Sequence, residues 1–203
     1  LAAFLFFIDY AARLLRPGRI VAKIAETGLD VIKDVYPFQD APQALSSEGE
    51  LQLGQPSHIL HHQGRSATVL AVNTDDLIAE AQRSAGIVEF VPRVGDFIAT
   101  DEPLFRLYGN GPFDEIKLQG AVAVGPERTM EQDPMFAFRI LLDIALKALS
   151  KAINDPTTAT LAIDQLHRLL RCVGNRKLSG ETIRDRNGQL RVIFRTPDWE
   201  DYV

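Results

Sequence analysis

The chain has 203 residues, 46% apolar and 24% charged, with a formal net charge of −5. That length buries a sizeable core, and the apolar share excludes a disordered chain. The acidic balance, with its one dense basic cluster near the N-terminus, argues against a nucleic-acid binder, and the single cysteine, Cys172, excludes an internal disulfide.

"LAAFLFFI" (1–8) opens the chain without a charge. Eight residues cannot span a bilayer, which takes ~20, and a signal peptide would carry its basic residues before the apolar run. Here Arg13, Arg16, Arg19 and Lys23 follow it, with no acid from Tyr10 to Ala25. The structural alternative is a buried helix end. The reading preferred is the end of a transmembrane helix leaving the bilayer on its cytoplasmic side, because basic residues collect there. Pro17-Gly18 should break this first helix, and Ile20, Ile24, Val31, Ile32 and Val35 predict a second over 20–35, ended by Tyr36-Pro37. Residues 38–56 read as a linker.

From Ser57 to Val124 the pattern turns to strands: "ATVLAV" (67–72), "GIVEFV" (86–91), "PLFRLY" (103–108) and "KLQGAVAV" (117–124). "TDDLIAEAQ" (74–82) is a helix capped by Thr74 or Asp75. Gly95-Asp96 makes a tight turn, with Val94, Phe97 and Ile98 as its apolar contacts. The segment 88–107 resembles half of a biotinyl/lipoyl-type barrel. A carrier of that class needs a lysine at a hairpin tip, and none occurs between Lys33 and Lys117. If the barrel is present, it is therefore a structural or interaction module.

Asp133-Pro134 opens the next helix, apolar nearly all round and so expected to be buried, and ending near Ile153. Its exception is a stripe of Arg139, Asp143, Lys147 and Lys151, where Asp143 can pair with Arg139 and Lys147. Asp155-Pro156 starts a second, amphipathic helix to Val173, with Asp155 as cap and Asn154 tying the joint. The two form a helical hairpin. "ETIRDRNGQLRVIFRT" (181–196) is a β-hairpin turning at Asn187-Gly188. "TPDWEDYV" then signals a helix, with Thr196 as cap and Pro197 in the first position, which implies that the chain continues past Val203.

The expected fold is thus α+β: a small β-barrel or sandwich-like region, then the helical hairpin and the C-terminal β-hairpin. Four segments are expected: membrane-proximal helices (1–36), a β-rich region with one inserted helix (37–125), the hairpin (126–175) and the terminal β-hairpin with the start of a helix (176–203).

For chemistry, His58, His61 and His62 form "HxxHH". Two histidines four apart suit zinc only on a helix, and this segment leads into a strand, so no metal is expected. There is no phosphate loop, GxGxxG, GxSxG or HExxH. No cofactor is expected, and Cys172 reads as an inert thiol. One polar set remains: Arg128, Thr129, Asp133, Arg139, Asp143, Asn154, Asp155, Thr157 and Thr158. Carboxylates near bases can do acid–base work, and the structural alternative is capping and ion pairing.

"ERTMEQDPMFAFRILLDIALKALSKAINDPTTATLAIDQLHRLL" resembles the signature of the bacterial membrane proteins grouped as domain of unknown function 2254. The matching residues are Arg128-Thr129, Gln132-Asp133, Phe138-Arg139, Asp143 through Ala145, Ala148 through Ser150, Ile153 through Thr158, and Asp164. The Gly95-Asp96 turn and "TPDWEDY" match as well. "RSATVLAV" departs from the Ser-Gly-aromatic pattern of the family. The resemblance implies several N-terminal membrane spans followed by a cytoplasmic β-plus-helix region. From it and the basic cluster come the expected address, the inner membrane with this region cytoplasmic, and the expected partners, the lipid bilayer and further copies of the chain. The function expected is a non-enzymatic module for assembly, gating or transport. The alternative is a membrane-tethered enzyme, or a small-anion sensor, using the Asp143/Asp155 region.

Overall fold

The computed structural model describes residues 16–36, 53–178 and 182–203, and the apolar start and most of the expected linker lie outside them. The elements are α1 (Pro17–Val35), β1 (His58–His61), β2 (Ala67–Val72), α2 (Thr74–Arg83), β3 (Ile87–Phe90), β4 (Phe97–Ile98) and β5 (Pro103–Tyr108). They continue with α3 (Glu115–Gly120), β6 (Val122–Gly125), α4 (Pro134–Ala148), α5 (Pro156–Gly174), β7 (Thr182–Arg184), β8 (Leu190–Phe194) and α6 (Trp199–Tyr202). The fold is α+β, as expected. The chain interleaves two compact units, one from Leu1–Pro37 and Pro134–Arg176, the other from Phe38–Asp133 and Lys177–Val203.

The first unit packs α1, α4 and α5 against one another. Pro17 takes the first turn of α1, where its missing donor costs nothing, so the Arg-Pro-Gly-Arg stretch starts this helix. The buried stripe is Val21, Ala25, Gly28, Leu29 and Ile32, while Ile20 is exposed. Small residues bring the axes close. A Cβ on Gly28 would lie 2.7 Å from the Ala137 Cβ, and Ala145, Ala148, Ala159 and Ala162 are all buried. Beyond α5, the Arg176 guanidinium donates from Nη1 to the Tyr36 carbonyl (3.1 Å), joining the ends of α5 and α1. The expectation that α4 is buried all round is corrected: Ala137, Leu141 and Ala145 are buried, but Leu142, Leu146 and Leu149 are exposed. An apolar composition shows that a helix meets something apolar; it does not show that all of it meets this chain's own core.

The second unit holds a five-stranded sheet in the order β1-β5-β3-β8-β7 and a three-stranded sheet in the order β4-β2-β6. Neither sheet closes on itself, so no barrel is present among the described residues. The alternation Ile87-Val88-Glu89-Phe90 turns Val88 and Phe90 inward. They stand opposite Leu107 and Phe105 of β5, and Val88 is also opposite Val192 of β8, which runs parallel to β3. The Phe90 and Phe105 rings lie 5.5 Å apart at 45°, and Leu77, Ala81, Ile98 and Leu118 complete the core. Ile98 is buried as expected of the turn, whereas Phe97 points outward at 67% exposure.

Three local expectations are also corrected. Asn73, not Thr74 or Asp75, caps α2, accepting from the Asp76 amide at 3.3 Å. Residues 117–124 are not one strand. Asp114 caps the helix α3, accepting from the Lys117 amide at 3.2 Å, and the strand begins only at Val122. Asp198, not Thr196, caps α6, in a reciprocal capping box with Asp201. Thr196 Oγ1 instead donates to the Leu178 carbonyl (3.1 Å). The β-hairpin at Gly188 (φ +77°) forms as expected.

Candidate functional site

The polar set is divided between the two units. Arg139, Asp143, Asn154, Asp155, Thr157 and Thr158 belong to the helical unit; Arg128, Thr129 and Asp133 belong to the sheet-bearing one.

In the helical unit the joint between α4 and α5 has a defined geometry. The first helix stops at Ala148, five residues before the expected Ile153. The Leu149 amide still donates to the Ala145 carbonyl (3.0 Å), and the Ser150 amide to Lys147 (3.2 Å). Asn154 then adopts a left-handed backbone (φ +48°), a conformation that asparagine tolerates better than most residues. This lets the Asn154 amide reach the Ser150 carbonyl (2.9 Å) and the Asp155 amide reach Ala148 (2.8 Å), so Asn154 holds the joint through its backbone. Asp155 is the cap of α5: its Oδ1 accepts from the Thr158 amide (3.0 Å) and its Oδ2 from the Thr158 hydroxyl (2.5 Å). The Thr158 hydroxyl first, then the Thr158 amide, hold the carboxyl below the usual aspartate range against an upward push from burial, and the Thr157 amide adds least. Asp155 meets neither Arg139 nor Lys147. Arg139 and Asp143 form a solvent-facing pair, Nε to Oδ2 3.5 Å, with 66% and 62% of their side chains exposed.

In the sheet-bearing unit Arg128 grips Asp133 with both arms of its guanidinium. Nε donates to Oδ2, and Nη2 donates to Oδ1 at 3.0 Å. The Asp133 side chain is 2% exposed. The pair lies against the Gly95 turn, where a Cβ would come within 2.7 Å of Arg128 Nη2 and closer still to Asp133 Oδ2. Gly95 has φ +93°, and its amide donates to the Val69 carbonyl (2.8 Å) while Val69 donates to Asp96 (2.9 Å). Gln132 extends the same staple, its Oε1 accepting from the Val72 amide at 3.0 Å. Thr129 Oγ1 is buried there without a hydrogen-bond partner.

Three further polar groupings were missed in the sequence. Glu80, 3% exposed, accepts from Arg83 (Nε 2.9 Å, Nη2 2.5 Å) and from the Asp114 amide (2.6 Å). Chiefly the Arg83 hydrogen bond holds its carboxyl below the usual range, against burial. The i,i+3 spacing of Glu80 and Arg83 was a readable signal. Glu89 stands opposite Arg106 across β3 and β5, with Arg106 Nη1 at 2.9 Å, and accepts from the Tyr108 hydroxyl at 2.6 Å. Burial first, then the Glu89 hydrogen bond and charge, push the Tyr108 phenol up to about 12. Asp185 accepts from Arg191 Nε (2.8 Å) and from the Asn187 and Gln189 amides of the hairpin turn. The histidines do not converge: His58 Nε2 faces Glu115 Oε1 at 3.1 Å, whereas His62 is buried with Nε2 against the Arg65 carbonyl at 2.9 Å. Among the described residues no cluster of three metal-ligating side chains occurs.

Comparison with known proteins gives one family and a small set of relatives. A family model described as "Predicted membrane protein (DUF2254)" matches residues 1–203. Uncharacterized proteins of Mycobacterium bovis and Mycobacterium tuberculosis are each 27% identical over 212 residues, an alignment covering 100% of this chain and 40% of theirs. The chain therefore spans less than half the length of the curated relatives it matches. No solved structure matches it. Among the described residues no helix is long and apolar enough to cross a membrane.

Proposed function

The chain belongs to the DUF2254 family of predicted membrane proteins, and from that premise we propose that it is the membrane-proximal, cytoplasmic module of a longer polytopic protein. The module serves assembly, gating or transport rather than turnover. One observation carries the placement: an uncharged apolar run at 1–8 is followed by Arg13, Arg16, Arg19 and Lys23. Arg16, Arg19 and Lys23 are exposed at the start of α1. Cations at that point favour the cytoplasmic face of an inner membrane.

The carboxylates support a structural role over a catalytic one. Asp155 is engaged by Thr158, Asp133 by Arg128, and Asp143 sits in a solvated pair. General acid–base chemistry needs a group within hydrogen-bond reach of a bound substrate, and each of these is occupied locally.

Cysteine labelling of the full-length protein tests the orientation. In a Cys172→Ser background, cysteines introduced at exposed Asn110 and Ile116 should resist an impermeant maleimide on intact cells and react after lysis. Labelling from outside intact cells refutes the cytoplasmic placement.

A further inference from the structure

Resting on the membrane-proximal reading above, we infer that the outer face of the α4–α5 hairpin docks flat on an anionic lipid surface. Leu142, Leu146 and Leu149 follow one another at four- and three-residue steps, so they share one side of the helix. They are 46%, 60% and 56% exposed, and Ile153 in the joint is 49% exposed. A separate stripe, with Ala137, Leu141 and Ala145, is the one the unit buries. A ridge of that size left outside the core calls for an apolar partner.

Charge selects the partner. Arg139 and Lys147 lie on the neighbouring outward stripe of α4, Lys151 follows in the joint that carries Ile153, and all three are exposed. Asp143 offsets one of them through its pair with Arg139. The ranges that make up the helical unit carry eleven Lys and Arg against seven Asp and Glu; the other unit carries eleven against twenty. The chain is acidic as a whole, yet its cations are concentrated in the unit that shows the ridge. A second copy docked on the same face would set these cations against one another, which disfavours that occupant. An anionic bilayer takes both parts: the leucines enter the boundary between headgroups and acyl chains, and the flanking cations meet lipid phosphates.

The test is vesicle co-sedimentation of the 203-residue chain, with phosphatidylcholine alone and with equimolar phosphatidylcholine and phosphatidylglycerol. The wild type should partition onto the mixed vesicles, less so as salt rises. Lys147→Gln with Lys151→Gln should weaken that partition by about fivefold for each cation and leave the neutral vesicles unaffected. Leu146→Gln with Leu149→Gln should weaken it by roughly tenfold or more. Both double variants change exposed positions only, so they should melt with the wild type. Three outcomes overturn the proposal: no partition of the wild type, partition that neither double variant changes, or light scattering that shows the leucine variant to have lost self-association instead. The last assigns the face to a second copy. These failures leave the labelling result standing, and outside labelling leaves the vesicle result standing, so the two readings fall separately.

Discussion

Replacing Gly95 with alanine should destabilise the sheet-bearing unit far more than replacing Gly188, although both glycines have positive φ, +93° and +77°. The shared part is backbone strain, about 1–2 kcal/mol for an L side chain in that region. At Gly188 nothing lies within 4 Å of a Cβ, so Gly188→Ala should cost only that. At Gly95 the new methyl would meet Arg128 Nη2 at 2.7 Å and Nε at 2.8 Å, and press harder on Asp133 Oδ2. These atoms cannot swing aside freely, because Asp133 is 2% exposed and both its oxygens are held by Arg128. Prising the buried Asp133 carboxylate from its half-buried partner adds about 3 kcal/mol, so Gly95→Ala should total roughly 4–5 kcal/mol. Urea unfolding followed through its midpoint, at constant slope, measures both variants. A double variant sharpens the comparison: in an Asp133→Ala background one crowding atom is gone and Arg128 is released to swing aside, so Gly95→Ala should cost little beyond the strain. Equal losses at Gly95 and Gly188, or additive losses with Asp133→Ala, would refute the coupling.

Asp155→Ala should lower the melting temperature, whereas Asp155→Asn, which keeps an oxygen for the Thr158 amide, should lower it less; a normal melt for Asp155→Ala would defeat the capping account. Because its folded carboxyl lies below the ordinary value of 3.8, the contribution of Asp155 is fully present above that pH and lost as pH falls through the folded value, so the gap between wild type and Asp155→Ala should close in acid. Tyr108 works at the other end of the scale: its phenol, raised from 10.0 to about 12, supports the fold fully below pH 10 and loses that support as pH rises toward 12. Ultraviolet titration with Tyr108→Phe as the assignment control should show this late-titrating phenol, and Glu89→Gln should bring it down; a phenol titrating near 10 in the wild type would contradict the contact.

What was legible in the sequence was local. Asp155-Pro156 and Asn187-Gly188 are start and turn signals whose physics is complete within a few residues, and both form as read. The misreadings were also local, where two signals competed. "KLQGAVAV" alternates well enough for a strand, but Asp114, three residues before Lys117, nucleates a helical turn first. Thr196-Pro197 imitates a helix start, yet Asp198 and Asp201 can cap reciprocally and Thr196 cannot. The pairing of β3 with β8, parallel and across more than ninety residues, has no local signature at all. Nor does the cross-strand set of Glu89, Arg106 and Tyr108, which exists only once β3 and β5 are in register.

The polar set was legible as residues but not as an arrangement, and the arrangement bears on function. Read along the chain, Arg128 to Thr158 looks like one concentrated site. Folded, its members work in two separate units, and each carboxylate is answered by a near neighbour in sequence: Asp133 by Arg128, Asp143 by Arg139, Asp155 by Thr158. A long-range association is the approach of Gly95 to the Arg128–Asp133 pair, with Gln132 reaching the Val72 amide beside it. That association ties a loop to a turn and a strand. It holds the buried Asp133 carboxylate in bidentate geometry, and such a pair fixes one conformation more readily than it frees a group for chemistry.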